Sequence, residues 1–81
     1  MSDELRERIA DVQHGIWAHW MRYQFGVCQR NEDGSFTIPA DKVKRWERQT
    51  GALYGELTER EKESDREQAD KVIAVLKAVK A

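Results

Sequence analysis

The chain has 81 residues and a formal charge of −1, with 40% apolar and 36% charged residues. This balance excludes a disordered chain, and no apolar run approaches the ~20 residues that a membrane span needs. The near-zero charge gives no global field to attract nucleic acid, so we expect neither a nucleic-acid nor a membrane partner. Residues 1–4 are acidic and no apolar leader follows them, which predicts a cytoplasmic protein.

A long amphipathic helix is predicted from Ser2 to about Phe25. Ser2 or Asp3 is a suitable cap at its start, and Gly26 is a suitable end. Apolar residues recur along this segment at steps of three and four, which places them on one face of a helix. They are Leu5, Ile9, Val12, Ile16, Trp20 and Tyr23.

Residues 27–38 have the pattern of a β-hairpin. Asp33 and Gly34 supply the positive φ angles that a tight turn needs, and Phe36 and Ile38 alternate with polar residues. Because two strands alone are marginal in water, we expect the hairpin to pack on the helices or to pair with a second copy of the chain.

A short helix follows Pro39, which pre-sets a first helical turn, and it runs to about Gln49 before Gly51. The last helix begins at Thr58, because Thr58 and Glu61 have the spacing of a capping box. Its predicted core-facing stripe consists of Ala69, Val72, Ile73, Leu76 and Val79.

These elements predict a mainly helical α+β fold in one domain, 1–81. In chain order it contains a long N-terminal helix, a β-hairpin, a short helix and a C-terminal helix. At this length a single core only just suffices, because about 60% of the unfolded surface is buried on folding.

Two groups of residues resemble the RyR domain, the repeat of ryanodine receptors that is also found as small stand-alone bacterial and phage proteins. His14 and Trp17 match the His-x-x-Trp of that family's first helix, and Phe25 with Gly26 resembles the aromatic-glycine break after it. The second half of the family pattern is matched by Tyr54, Leu57, Lys62, Asp65 and Arg66.

The resemblance implies one RyR-like unit and an association with adenine nucleotides. Receptor repeats occur as tandem pairs related by approximate two-fold symmetry, which implies a homodimer for a chain with one repeat. The chain departs from the family pattern at Ala52 and Leu53, where a proline usually precedes the aromatic residue. Its segment 41–50 is also longer than in the receptor repeats.

The sequence shows no pattern typical of an enzyme or a metal site. His14 and His19 are five residues apart, off the spacing of zinc-binding helices, and Cys28 has no CxxC partner. No acid pair lies in an apolar setting, so we expect a non-enzymatic protein without a cofactor. Asp65 and Arg66 belong to the RyR-like motif and are expected to form an inward salt bridge to the first helix or hairpin.

Aromatic and basic residues together form the candidate binding site. Trp46 lies among the cations Lys42, Lys44, Arg45 and Arg48, a combination that can stack a base and hold phosphates. The predicted ligand-binding residues are Trp17, Arg22, Tyr23, Trp46, Arg48, Tyr54 and Arg66.

Three functions are compatible with this pattern. The first is a binding module for a nucleotide-like small molecule. The second is a phage or prophage protein that inhibits a host defence protein, or another host protein, by direct contact through Trp46, since Trp and Arg are enriched in interface hot spots. The third is a homodimeric assembly module that pairs through its hairpin and binds no ligand. Core packing is the simpler explanation for Trp17 and Trp20, because both fit the helical spacing.

Overall fold

The computed structural model describes residues 3–80 and the side chains of residues 3–79. Its order of elements confirms the predicted mainly helical α+β fold. The elements are α1 (Asp3–Val27), β1 (Gln29–Arg30), β2 (Phe36–Thr37), α2 (Ala40–Gly51), a 3₁₀ turn (Tyr54–Glu56) and α3 (Glu59–Lys80).

Helix α1 is two residues longer at its end than predicted. Gly26 does not stop it, because the amide of Cys28 still donates to the carbonyl of Gln24 at 3.0 Å and so continues the helical pattern. The predicted cap Ser2 lies outside the described residues. The predicted stripe is half-buried at Leu5, Ile9, Val12, Ile16 and Trp20.

The hairpin is antiparallel, with Gln29 opposite Thr37 and Arg30 opposite Phe36. Its connection is a five-residue loop rather than the tight turn predicted. Within residues 3–80 only Gly34 has a positive φ, +90°. The Asp33 carboxylate accepts hydrogen bonds from the hydroxyl and the amide of Ser35, at 2.6 and 3.0 Å, and these bonds hold the pKa of Asp33 below its ordinary value.

The hairpin packs against the end of α1, which is the first of the two predicted alternatives, packing on the helices or pairing with a second copy. The rings of Phe25 and Phe36 stack with their centroids 5.1 Å apart. The guanidinium of Arg30 lies over the Phe36 ring, 4.7 Å from its centroid. These contacts give the two short strands the support that they lack in isolation.

Two side-chain hydrogen bonds connect α2 to the long helices. Arg45 donates to the Tyr23 hydroxyl of α1 at 2.6 Å. Arg48 donates to the Glu61 carboxylate of α3 at 2.5 Å. Pro39 lies immediately before α2, and its carbonyl accepts the amides of Lys42 and Val43, so α2 begins where the sequence predicts.

The start of α3 is the predicted capping box. The amide of Glu61 donates to the Thr58 hydroxyl at 3.1 Å, and the amide of Thr58 donates to the Glu61 carboxylate at 3.0 Å. Two amides that the helix leaves unpaired are therefore satisfied by side chains.

Helices α1 and α3 pack antiparallel, since residues 4–12 of α1 lie beside residues 74–78 of α3. This seam contains little apolar burial. Among the described side chains no apolar residue is buried, and the one buried residue is Gln68, which is 6% exposed and accepts a hydrogen bond from Lys71 at 2.8 Å.

The predicted α3 stripe is only partly correct. Val72 faces the seam half-buried, together with Val75, which was not predicted. The other four predicted members are exposed instead: Ala69, Ile73, Leu76 and Val79. Apolar residues surround almost the whole circumference of α3 between 72 and 79, so their spacing alone does not select the face that meets α1.

We predict that Thr58→Ala lowers the free energy of unfolding by about 1 kcal/mol, because it removes the oxygen that caps α3. Urea denaturation followed by circular dichroism measures the change. Thr50→Ala is the matched control, since the Thr50 hydroxyl donates to a carbonyl within α2 and caps no helix start. Equal effects of the two substitutions would contradict a specific role for the capping box.

Candidate functional site

A cleft of about 740 Å³ lies between the C-terminal half of α1, helix α2 and the first half of α3. Its volume is within the range of small-molecule sites, roughly 300–1,000 Å³. Three elements that are distant in sequence therefore meet around one concave surface. The lining residues used below are Trp20, Tyr23, Lys42, Arg45, Trp46, Glu61, Asp65 and Glu67.

Aromatic rings form one wall of the cleft. The rings of Trp20 and Tyr23 meet edge to face with centroids 6.3 Å apart. The ring of Trp46, on α2, lies 6.5 Å from that of Tyr23 at an angle of 60°. These separations are typical of favourable aromatic pairs, and they position α2 against α1 while leaving ring surface open to the cleft.

Two cations of the cleft, Lys42 and Arg45, come from α2, and a third, Arg60, comes from α3. Arg45 uses one terminal nitrogen for the Tyr23 hydroxyl, and its Nε is buried without a hydrogen-bond partner. Lys42 is half-buried, and its ammonium is 3.9 Å from the carboxylate of Asp41. An N–H group that is screened from water and unpaired has a desolvation cost that no contact within the described residues offsets.

The α3 side of the cleft carries the carboxylates Glu61, Asp65 and Glu67. The hydrogen bond from Arg48 and the bond from the amide of Thr58 hold the pKa of Glu61 below its ordinary value, so Glu61 is ionised at neutral pH. The Glu61 carboxylate places a negative charge at the N-terminal end of α3, where it interacts favourably with the helix dipole.

The structure brings two of the seven predicted site residues together in this cleft, Tyr23 and Trp46. A third, Arg48, lies at its margin, where its guanidinium is bound to the Glu61 carboxylate. Arg48 is therefore occupied by an internal partner and helps to hold α2 on α3.

The remaining predicted site residues do not line the cleft. Trp17 stacks on His14 with ring centroids 5.7 Å apart, and Arg22 is exposed on α1. The Tyr54 ring lies 5.8 Å from the Lys62 ammonium. Arg66 is hydrogen-bonded to Glu63 and Glu59, both at 3.3 Å.

The expected inward salt bridge of Asp65 and Arg66 is not formed. Arg66 pairs with acids of its own helix, and these bonds hold its pKa above the ordinary value, with a smaller contribution from Tyr54. Asp65 lines the cleft, and both side chains are exposed. The physical reason is spacing, since Glu63 is three residues before Arg66 on one helix and reaches it without any tertiary contact.

Most lining residues of the cleft were absent from the predicted set, among them Trp20 and Arg45. Trp20 was interpreted as a core residue, and it is in fact half-buried between the seam and the cleft. Arg45 was grouped with the cations around Trp46, but the sequence contained no signal that it bonds Tyr23, which is 22 positions away. The neighbouring cation Lys44 is exposed and does not line the cleft.

No protein-family model, curated protein or solved structure matches the chain. The resemblance to the RyR domain accordingly stays a prediction that is based on the residues quoted above. Within residues 3–80, no helix combines the length and the apolar content that crossing a membrane would require.

We predict that Glu61 makes stability depend on pH. Its folded-state pKa is lowered from the ordinary 4.5, so its contribution is fully present above pH 4.5 and is lost as the pH falls through the folded-state value. Glu61→Gln should be less stable than the wild type at pH 7, and the difference should shrink below pH 4.5.

Urea unfolding in a series from pH 7 to acidic pH below 4.5 tests this pH dependence, because the stabilisation is lost as the pH falls through the lowered folded-state pKa. Glu47→Gln, which removes an exposed acid of α2, is the control and should leave the pH profile unchanged. A wild-type advantage over Glu61→Gln that stays constant across the series would contradict the role assigned to the Glu61 carboxylate.

Proposed function

We propose that the chain is a small, non-enzymatic binding module of the cytoplasm whose cleft binds a nucleotide-like small molecule. The observation that carries the proposal is the grouping of Tyr23, Trp46 and Arg45. Two aromatic rings and a guanidinium with a buried, unpaired N–H converge on one cleft. Aromatic faces bind the flat surface of a base, and cations bind phosphates, so this combination suits a nucleotide better than a purely apolar ligand.

The α2 edge of the cleft carries Lys42 and Arg45, whereas the α3 edge carries more acids than its one cation, Arg60, and this distribution suggests an orientation for the ligand. Phosphates belong at the α2 edge, beside Lys42 and Arg45. The α3 edge carries Asp65 and Glu67, whose oxygens only accept hydrogen bonds when ionised. Base amino groups and sugar hydroxyls are donors, so they complement this edge. The adenine-nucleotide association that the RyR resemblance implies is consistent with the same class of ligand.

The alternative of a host-protein inhibitor that docks through Trp46 receives less support from this geometry. A docking tryptophan has to present its ring to a partner surface. Trp46 is instead half-buried against Tyr23 and forms a wall of a concave site. Concave sites bind small ligands more often than flat protein surfaces do.

We predict that Trp46→Ala weakens nucleotide binding about five- to 150-fold, the range that corresponds to roughly 1–3 kcal/mol of base stacking. A panel of purine and pyrimidine nucleotides, with cyclic nucleotides included, is first screened by the shift in melting temperature, and isothermal titration calorimetry then gives the affinity. Trp17→Ala is the matched control, because Trp17 lies on α1 outside the cleft lining.

Two outcomes would contradict the proposed ligand class. One is a melting temperature that no nucleotide of the panel changes at millimolar concentration. The other is an equal loss of affinity in Trp46→Ala and Trp17→Ala, which would indicate a general loss of structure. Circular dichroism of both variants shows whether the helices are retained.

We also predict that Arg45→Gln separates phosphate recognition from base recognition. A charge-assisted hydrogen bond is worth about 1.5–3 kcal/mol, so the variant should bind ATP about tenfold or more weakly. Its affinity for adenosine, which has no phosphate, should change little. Arg22→Gln is the control, since Arg22 is an exposed arginine that does not line the cleft. Equal losses for ATP and adenosine in Arg45→Gln would show that Arg45 acts only by holding Tyr23.

A further inference from the structure

The C-terminal half of α3 exposes apolar surface that no other part of the described chain covers. Between residues 72 and 79 the helix has seven apolar residues and one lysine. Ile73 and Leu76 lie three residues apart, 45% and 41% exposed, and Val79 is 46% exposed. A helix that is apolar on nearly all sides is normally buried on nearly all sides. Here α1 covers only the side that carries Val72 and Val75.

The dimensions of the chain indicate how much surface remains to be covered. A monomeric protein of 9.5 kDa exposes about 5,000 Å². This chain exposes 6563 Å², an excess of roughly 1,500 Å² over that expectation. Stable homodimers bury about 1,000–2,500 Å² on each partner, so the excess matches the area that one copy hides in a dimer.

The spread of the chain leads to the same conclusion. Its radius of gyration is 16.1 Å, whereas a compact chain of 81 residues has about 12 Å and a compact assembly of 162 residues about 15 Å. The molecule is only 16 Å deep along its shortest axis. At the end of the molecule away from α2, the first half of α1 and the last half of α3 lie side by side as a single pair of helices. Such a pair needs a second layer to enclose a core.

We infer that a second copy of this chain supplies that layer. The two copies pack through the exposed face of α3 at Ile73 and Leu76, and the α1–α3 pairs of both copies form a four-helix arrangement around a shared apolar core. A two-fold axis gives each copy the same surface, so the patch on α3 has to be self-complementary. The assembly does not depend on the ligand that the cleft binds.

The charged residues around the apolar patch favour a second copy of the chain over a partner whose surface charges all have one sign. On α3 itself Ile73 is three residues after Asp70 and four residues before Lys77, so an acid and a base both neighbour the apolar patch. Each copy therefore has basic and acidic residues at the rim of the same apolar surface. Opposite charges of two identical copies can face one another across a two-fold axis, which limits repulsion and fixes orientation.

The decisive experiment measures molar mass and thermal unfolding over a wide range of concentration. Light scattering coupled to size exclusion should give twice 9.5 kDa, about 19 kDa, for the wild type. Leu76→Glu places an unpaired carboxylate in the apolar interface of each copy and should weaken association about a hundredfold or more. The matched control is Leu53→Glu, because Leu53 is 74% exposed and lies outside α3. This variant should remain a dimer.

Unfolding of the wild type provides a readout that does not depend on any variant being folded. A chain whose core forms only between copies unfolds at a temperature that rises with protein concentration. A one-chain mass up to 100 µM with a melting temperature independent of concentration would overturn the inference. An assembly larger than two chains, or a Leu76→Glu variant that dimerises like the wild type, would also overturn it. Nucleotide binding is measured separately, so failure of either proposal leaves the other open to test.

Discussion

The carboxylate of Glu61 is the interaction on which the arrangement of the helices depends. One of its oxygens accepts the amide of Thr58 and closes the start of α3, and the other accepts the guanidinium of Arg48 from α2. Among the described residues this is the one ion pair that joins two different helices. The same side chain therefore determines where α3 begins and where α2 lies. The hydrogen bond from Arg45 to Tyr23 completes the attachment by joining α2 to α1.

The cleft is a consequence of these two attachments. α2 is held at points one helical turn apart, Arg45 and Arg48, and it has few apolar contacts with the long helices. It consequently stands over the α1–α3 seam instead of collapsing onto it, and the space beneath it is lined by Trp20, Tyr23 and Trp46. A polar attachment of this kind is specific in direction but contributes little hydrophobic free energy. The stability of the unit must come mostly from the long helices.

The long helices α1 and α3, in contrast to α2, carry more apolar surface than the contact between them can bury. The seam itself contains a buried glutamine, Gln68, whose carbonyl is satisfied by Lys71. A polar group at that position costs little as long as it is paired, and it restricts the register of the two helices. The remaining apolar residues of α3 face outward, and a second layer of helices is the simplest way to remove them from water.

Much of the secondary structure could be predicted from the sequence because its determinants are local. The Thr58–Glu61 capping box, the entry at Pro39 and the three- and four-residue apolar spacing of α1 each act within one or two turns of a helix. The hairpin was predicted for the same reason, although Asp33 bonds Ser35 and makes a five-residue loop instead of a tight turn.

The sequence by itself determined the helices, their starts and the presence of an aromatic and basic set around Trp46. Only the tertiary structure decided which members of that set meet. Arg48 and Glu61 are 13 positions apart, and Arg45 and Tyr23 are 22 apart, so their contacts depend on how helices pack and not on local spacing. The covered face of α3 was undetermined for a related reason. A helix with apolar residues on nearly every side can pack against a neighbour through any of several faces. In this structure α1 covers the face with Val72 and Val75, and the face with Ile73 and Leu76 stays exposed.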